Sequence, residues 1–248
     1  MTLQIVTHAD RPDLWARWNE AAERVWPTFM LQDAVCNQFF GGLTRFFPAC
    51  QLYLLDEQTD ELLGVGNTIP VTWDGTPEGL PGGVDDVLAT YIGDREKQQQ
   101  PTTLCAIQAA VLPGHQGTGL SRVIIGGMRT VAERLHFADL IAPVRPNMKV
   151  RYPLTPMYRY IQWLREDGLP LDAWLRVHAR LGASIEQVAE GSMLVEGTVA
   201  EWEAWTELAF PESGEYVIPG ALTTVTIDRT QDIGRYVEPN VWMRHRLI

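Results

Sequence analysis

Apolar residues at Leu14, Trp15, Trp18, Ala22 and Val25 recur at helical spacing, and Pro27 ends the run. Asp10 is placed to cap this helix, with Pro12 in its first turn. The same period predicts a second helix over Gln32 to Phe40. It returns from Leu120 to Leu135, where Val123, Ile124, Met128, Val131 and Leu135 share a face. Shorter helices are expected at Val84 to Tyr91, Met157 to Leu164 and Asp172 to Leu181, the last closed by Gly182. Thr198-Val-Ala-Glu201 has the form of a capping box and opens a helix carrying Trp202 and Trp205. Strands are predicted at Leu3–Val6, Gln51–Leu55, Leu62–Val71, Leu104–Leu112 and Asp139–Val144. Four more follow, at Met193–Val195, Tyr216–Ile218, Leu222–Ile227 and Val241–Arg244. Trp73 to Gly83 is a loop rich in Gly, Pro and Asp, and Arg95–Gln100 is a polar approach to the next strand.

Leu104–Leu112 is almost wholly apolar, as expected of a strand buried on both faces. It is followed by a glycine turn, a helix and another strand, a βαβ unit whose two strands should be parallel neighbours. The mixed order of elements predicts an α/β or α+β sheet. At 248 residues, with no linker, repeat or low-complexity tract, the chain reads as a single domain.

Composition narrows the partners. The formal net charge of −11 argues against nucleic acid or an anionic membrane and is compatible with a cationic substrate. No apolar run is long enough to span a bilayer, and the first ten residues lack the pattern of a signal peptide, which points to the cytoplasm. Cys36, Cys50 and Cys105 are widely spaced among apolar residues and read as free buried thiols. The five histidines never fall at metal-ligand spacing, so no metal is expected.

Val111-Leu-Pro-Gly-His-Gln-Gly-Thr-Gly-Leu-Ser121 leads from the buried strand into a helix through three glycines. Such a turn either reverses the chain or offers free amides to an anion at the positive end of a helix dipole. A nucleotide-hydrolysing loop would need a lysine where Leu120 stands. A dinucleotide loop would need a third glycine where Arg122 stands, and Asp139 begins its strand rather than ending it. Gln116-Gly-Thr-Gly119-Leu-Ser121, after Val111-Leu-Pro113, resembles the Q/R-x-x-G-x-G/A motif of the GNAT superfamily, the acyl-CoA-dependent N-acyltransferases. Ser121 departs from the usual Gly or Ala.

The resemblance covers roughly residues 1 to 196, leaving a C-terminal extension of 197 to 248 with one helix and further strands. It implies a GNAT-like central mixed sheet, flanked by helices, in which Leu104–Leu112 and Asp139–Val144 splay apart. It further implies that acetyl-CoA or another acyl-CoA lies between them, its pantetheine against the backbone of Ala110, Val111 and Leu112. The pyrophosphate would sit on Gln116, Gly117, Thr118, Gly119, Leu120 and Ser121. The acyl group would pass directly to the amine of a small molecule or peptide.

The family's tyrosine acid falls at His178, in His178-Ala-Arg-Leu-Gly-Ala183, and an imidazole is suited to proton transfer near neutrality. Tyr158 and Tyr152 are the alternative acids. Glu238, Asp85 and Asp86 are the candidate bases, and Trp73 could line an acceptor pocket. The aromatic residues of the extension, Trp202, Trp205, Tyr216, Tyr236 and Trp242, are expected to cover the sheet, and a homodimer is compatible with them. A non-catalytic acyl-CoA-binding module and a nucleotide-binding protein are the competing readings.

Overall fold

The computed structural model describes residues 2–93 and 100–247. The first part of the chain forms β1 (Leu3–Thr7), α1 (Leu14–Ala22), α2 (Ala34–Phe39), α3 (Gly42–Phe46), β2 (Gln51–Asp56) and β3 (Glu61–Val71). The middle forms α4 (Val84–Leu88), β4 (Thr103–Val111), α5 (Leu120–Arg134) and β5 (Asp139–Val144). Next come α6 (Met157–Tyr160), α7 (Ala173–Arg180), β6 (Ser184–Gly197) and α8 (Val199–Thr206). The chain ends in β7 (Gly214–Tyr216), β8 (Val225–Asp228) and β9 (Ile233–Arg246). The polar approach expected at 95–99 lies outside the described residues.

Nine strands make one mixed sheet in the order β1-β2-β3-β4-β5-β9-β8-β7, with β6 on the other side of β9. The expected parallel pair is β4 and β5. Helix α5 crosses between them and buries Leu120, Ile124, Ile125, Met128, Val131 and Ala132, close to the stripe its sequence predicts. Gly64 and Gly66 on β3 let α5 approach. A Cβ on Gly66 would stand 2.8 Å from the Met128 methyl and 2.9 Å from Ile124. On the opposite face, α1 sets Leu14, Trp18 and Ala21 against Tyr53, Leu55 and Val65. Helices α2 and α4 cover the same side nearer the sheet centre.

Several expectations needed correction. Asp10 does not cap α1: its carboxylate turns back to the Thr7 backbone N–H and hydroxyl, and Asp13 stands at the N-terminus instead. The helix expected from Gln32 begins at Ala34, because the Asp33 carboxylate accepts from the Cys36 N–H and so caps it. Met157 to Leu164 keeps only one helical turn. The Thr198–Glu201 capping box forms as expected.

The segment after Gly197 is not an external cover. Its last strand, β9, pairs with β6 along one edge and with β5 and then β8 along the other. Trp202, Tyr236 and Trp242 are fully buried. All three cysteines are free, with Cys50 and Cys105 buried and Cys36 half-buried. Among the described residues no helix is long and apolar enough to cross a membrane.

Candidate active site

β4 pairs with β3 through to Val111, yet with β5 only at Leu104 and Cys105. From Ala106 onward its β5-facing backbone has no strand to pair with. The separation coincides with a bulge: Asn67 opposes Gln108 and Thr68 opposes Ala106, leaving Ile107 as the extra residue. A cavity of about 260 Å³ opens there. It is lined by Trp18, Asn37 and Cys36 from the α1–α2 side, and by Met128, Trp174 and His178 from the α5–α7 side. The cavity therefore passes through the sheet, so that two reactants could approach one point from opposite faces.

Among the described residues, two polar atoms on its walls are left without a partner. Gln108 Oε1 is buried and accepts no hydrogen bond, and His178 Nε2 is in the same position. Buried polar atoms are nearly always paired, so orphans facing a cavity mark places where a ligand group can bind. His178 is 4% exposed, and burial pushes its pKa down to about 3, so the resting ring is neutral.

The glycine loop begins where β4 leaves the sheet. Gly114, Gly117 and Gly119 have φ of +91°, +76° and +86°, and a Cβ at any of them would meet nothing within 4 Å. The turn thus needs glycine for its backbone conformation while its surface stays open. Among the described residues, no protein acceptor takes the N–H groups of Gln116, Gly117, Thr118, Gly119, Leu120 or Ser121. The loop is fixed from below, where Leu112 N–H donates to the Leu63 carbonyl, His115 N–H to the Leu112 carbonyl, and Gln116 Nε2 to the Val111 carbonyl at 3.3 Å. A row of free amides at the start of a fifteen-residue helix suits an anion.

Glu238 lies on the cavity wall, fully buried. Arg145 Nε donates to both of its oxygens, Tyr236 Oη to one at 2.9 Å and Asn240 Nδ2 to the other at 3.2 Å. Both of its oxygens are thus held by donors. Asp85 lies nearby on α4. Its Oδ2 accepts from Leu194 N–H at 2.8 Å, and its Oδ1 has no hydrogen-bond partner. Ligand atoms of Asp33, Cys36 and Asp85 all lie within 4.8 Å of one another. Burial, then the Asp33 charge, pushes Asp85 up to about 7, and burial raises Asp33 as well. The two carboxyls therefore resist ionising together. Burial also raises the Cys36 thiol, which stays protonated and unreactive.

Other candidates stand elsewhere. Tyr158 is 53% exposed under the Arg159 guanidinium, and neither it nor Tyr152 lines the cavity. Asp86 serves its own loop, accepting from Gly82 N–H. Trp73 is buried beneath Arg244 and donates to the Thr76 carbonyl. Ala110 and Leu112 are buried at the end of β4, and Val111 is half-buried. Sequence reasoning missed Asp33 and Asn240, and also Arg145 and His245, whose partners Glu238 and His178 are distant in the chain.

The chain is 30% identical, over 269 residues, to the arginine N-acetyltransferase avaD of Aspergillus versicolor, spanning 96% of this chain and 92% of that protein. It belongs to the GNAT superfamily. As a GNAT-type N-acetyltransferase it is an acyltransferase enzyme. The fold agrees. The loading GNATL domain of CurA from Lyngbya majuscula superposes with a TM-score of 0.54 at 16% identity, over 99% of this chain and 97% of that one. The GphF GNAT-like decarboxylase, solved in complex with isobutyryl-CoA, gives 0.60 at 15% identity over the full length of both. No protein-family model matches the chain.

Proposed function

We propose that this GNAT enzyme transfers an acyl group, acetyl in the simplest case, from acyl-CoA to the amine of a small cationic acceptor by direct attack in a ternary complex. The observation that carries the reading is the alignment of two features. The free amides of Gln116 to Ser121 begin at the mouth of the gap between β4 and β5. A coenzyme with its pyrophosphate on those amides can run its pantetheine along the β5-facing edge of β4 up to Val111, whereas Leu112, with its N–H on Leu63 and its carbonyl taken by His115, offers it no backbone group. Its thioester then reaches the cavity beside Gln108 and His178.

The acceptor enters from the α1–α2 face. The Arg145 guanidinium balances Glu238, and the Asp33 and Asp85 carboxyls behind Cys36 supply the acidic groups on that side, which suit an amino acid with a cationic side chain such as the arginine named for the relative. His178 is the residue within the cavity that can exchange a proton with the departing sulfur.

Thermal unfolding with acetyl-CoA, ATP and NAD tests the coenzyme site. A ligand at 100 times its dissociation constant adds about 2.7 kcal/mol, or roughly 5–10 °C for a chain of this size. A shift with acetyl-CoA alone is expected, and a shift with ATP or NAD but not acetyl-CoA rejects the reading. Release of free thiol in the presence of an amine panel that includes arginine then reads out transfer.

A further inference from the structure

Behind His178 stands a second buried imidazole. His178 Nδ1 on α7 lies 2.9 Å from His245 Nε2 on β9, and His245 is only 1% exposed. Trp174 meets the His178 ring edge-on, with centroids 4.7 Å apart at 79°, and fixes its plane. Burial lowers the pKa of His245 to about 4, so both rings are neutral. Two neutral imidazoles facing nitrogen to nitrogen must share one proton, with one ring donating and the other accepting.

The surroundings decide which. The Leu181 carbonyl accepts from Arg129 Nη1 at 3.0 Å and favours a proton on the His245 ring, whose Nδ1 has no hydrogen-bond partner among the described residues. The Arg129 guanidinium opposes a charged ring there. Of the two arrangements this contact allows, the one with the His245 proton on Nδ1 lets its Nε2 accept from His178. His245 Nε2 then accepts, His178 Nδ1 donates, and His178 Nε2 is left as a bare lone pair on the cavity wall.

We propose that His178 Nε2 takes the proton of the attacking amine and returns it to the departing sulfur, and that His245 is the positioning residue that holds His178 in the required tautomer. This rests on the acyl-transfer reading of the cavity. The acceptor enters the step as a neutral amine. Its nitrogen forms a bond to the thioester carbonyl carbon, and one N–H proton passes to Nε2. The C–S bond breaks with its electron pair on sulfur, and Nε2 delivers the proton to that thiolate. The products are the amide and free coenzyme A thiol, and His178 ends as it began. The same burial that disfavours imidazolium in the resting cavity makes its proton easy to lose once a thiolate forms beside it.

Nitrogen-15 histidine NMR on the full chain at neutral pH reads the tautomer without any substitution. The expected spectrum shows His178 protonated at Nδ1 and bare at Nε2, and a proton on Nε2 overturns the proposal. Kinetics supply the second arm. His178→Gln should lower kcat for thiol release by about 100-fold or more. His245→Gln, whose amide oxygen can replace the acceptor nitrogen, should stay within about threefold of the parent. His245→Phe should lose about tenfold or more in kcat with KM for both substrates unchanged, losses of the size expected for a partner that orients a general base. A parental kcat in folded His245→Phe overturns the positioning role. A parent that releases no thiol with any amine overturns the acyl-transfer reading itself, whereas thiol release with an Nε2–H tautomer overturns this assignment alone.

Discussion

Arg145 Nε lies 2.9 and 3.0 Å from the two carboxylate oxygens of Glu238, joining the end of β5 to the middle of β9 across the cavity wall. Arg145 Nη2 also donates to the Gly220 carbonyl at 2.6 Å, so one side chain ties three segments together. Removing it strands a buried carboxylate. Arg145→Ala should cost about 3–5 kcal/mol in chemical denaturation, and adding Glu238→Gln should recover part of the loss. Equal stability of the single and double variants would show that the pair is not coupled.

Gly117 offers a test of the loop that separates charge from strain. Its φ of +76° makes Gly117→Asn and Gly117→Asp comparably strained, at about 1 kcal/mol, since Asn and Asp both tolerate this region. Only the aspartate places a negative charge among the free amides. Acetyl-CoA affinity measured by calorimetry should fall by about tenfold more for Asp than for Asn, a difference of about 1.4 kcal/mol. Identical affinities would remove the loop from phosphate binding.

The raised pKa of Asp85 predicts a pH-dependent stability. In the folded protein the carboxyl holds its proton up to about pH 7, while in the unfolded chain it loses it near the usual carboxylate value of 3.8. Between those values the native state binds more protons, so this group weakens the fold as pH rises. Asp85→Asn should therefore raise stability at pH 8, on the order of 1–2 kcal/mol after allowance for water around the site, with the gain vanishing near pH 4. Melting curves across that range check it. A gain that grows toward acid would contradict the sign.

Gln108 should respond in opposite directions in two assays. Its Oε1 is buried without a partner in the free protein, and its position beside the strand gap places it near the reacting groups. Gln108→Leu should raise thermal stability by about 1 kcal/mol, because an unpaired polar atom is replaced by an apolar group. The same change should weaken binding of coenzyme or acceptor, which loses an acceptor oxygen. Unaltered KM values for both would place Gln108 outside the site.

The glycine loop and the strand–helix–strand unit around it were legible because both signals are local. Alternation of apolar positions marked α5 within a residue or two, and the positive φ of Gly114, Gly117 and Gly119 has glycine as its direct sequence sign. β9 was less visible, for a physical reason. It runs through Arg235, Glu238, Pro239 and Asn240, residues that look like a loop until Arg145 and Tyr236 satisfy them. β6 was shortened in the reading because Glu186, Gln187, Glu190 and Gly191 interrupt its apolar pattern. Asp10 and Asp13 compete for one cap, and the choice fell to Thr7, whose side chain engages Asp10. His178 could be singled out by position, but its neighbour His245 could not, because 67 residues separate them.

The place of β9 also governs how the molecule can assemble. Leu140 on β5 finds its partner in His245, more than a hundred residues later. Until that last strand arrives during translation, β5 and β6 each present an unpaired edge to other nascent chains. Such distant pairing makes for slow collapse to the native state, and a truncated product ending before Ile233 would be a ready substrate for chaperones or a seed for aggregates.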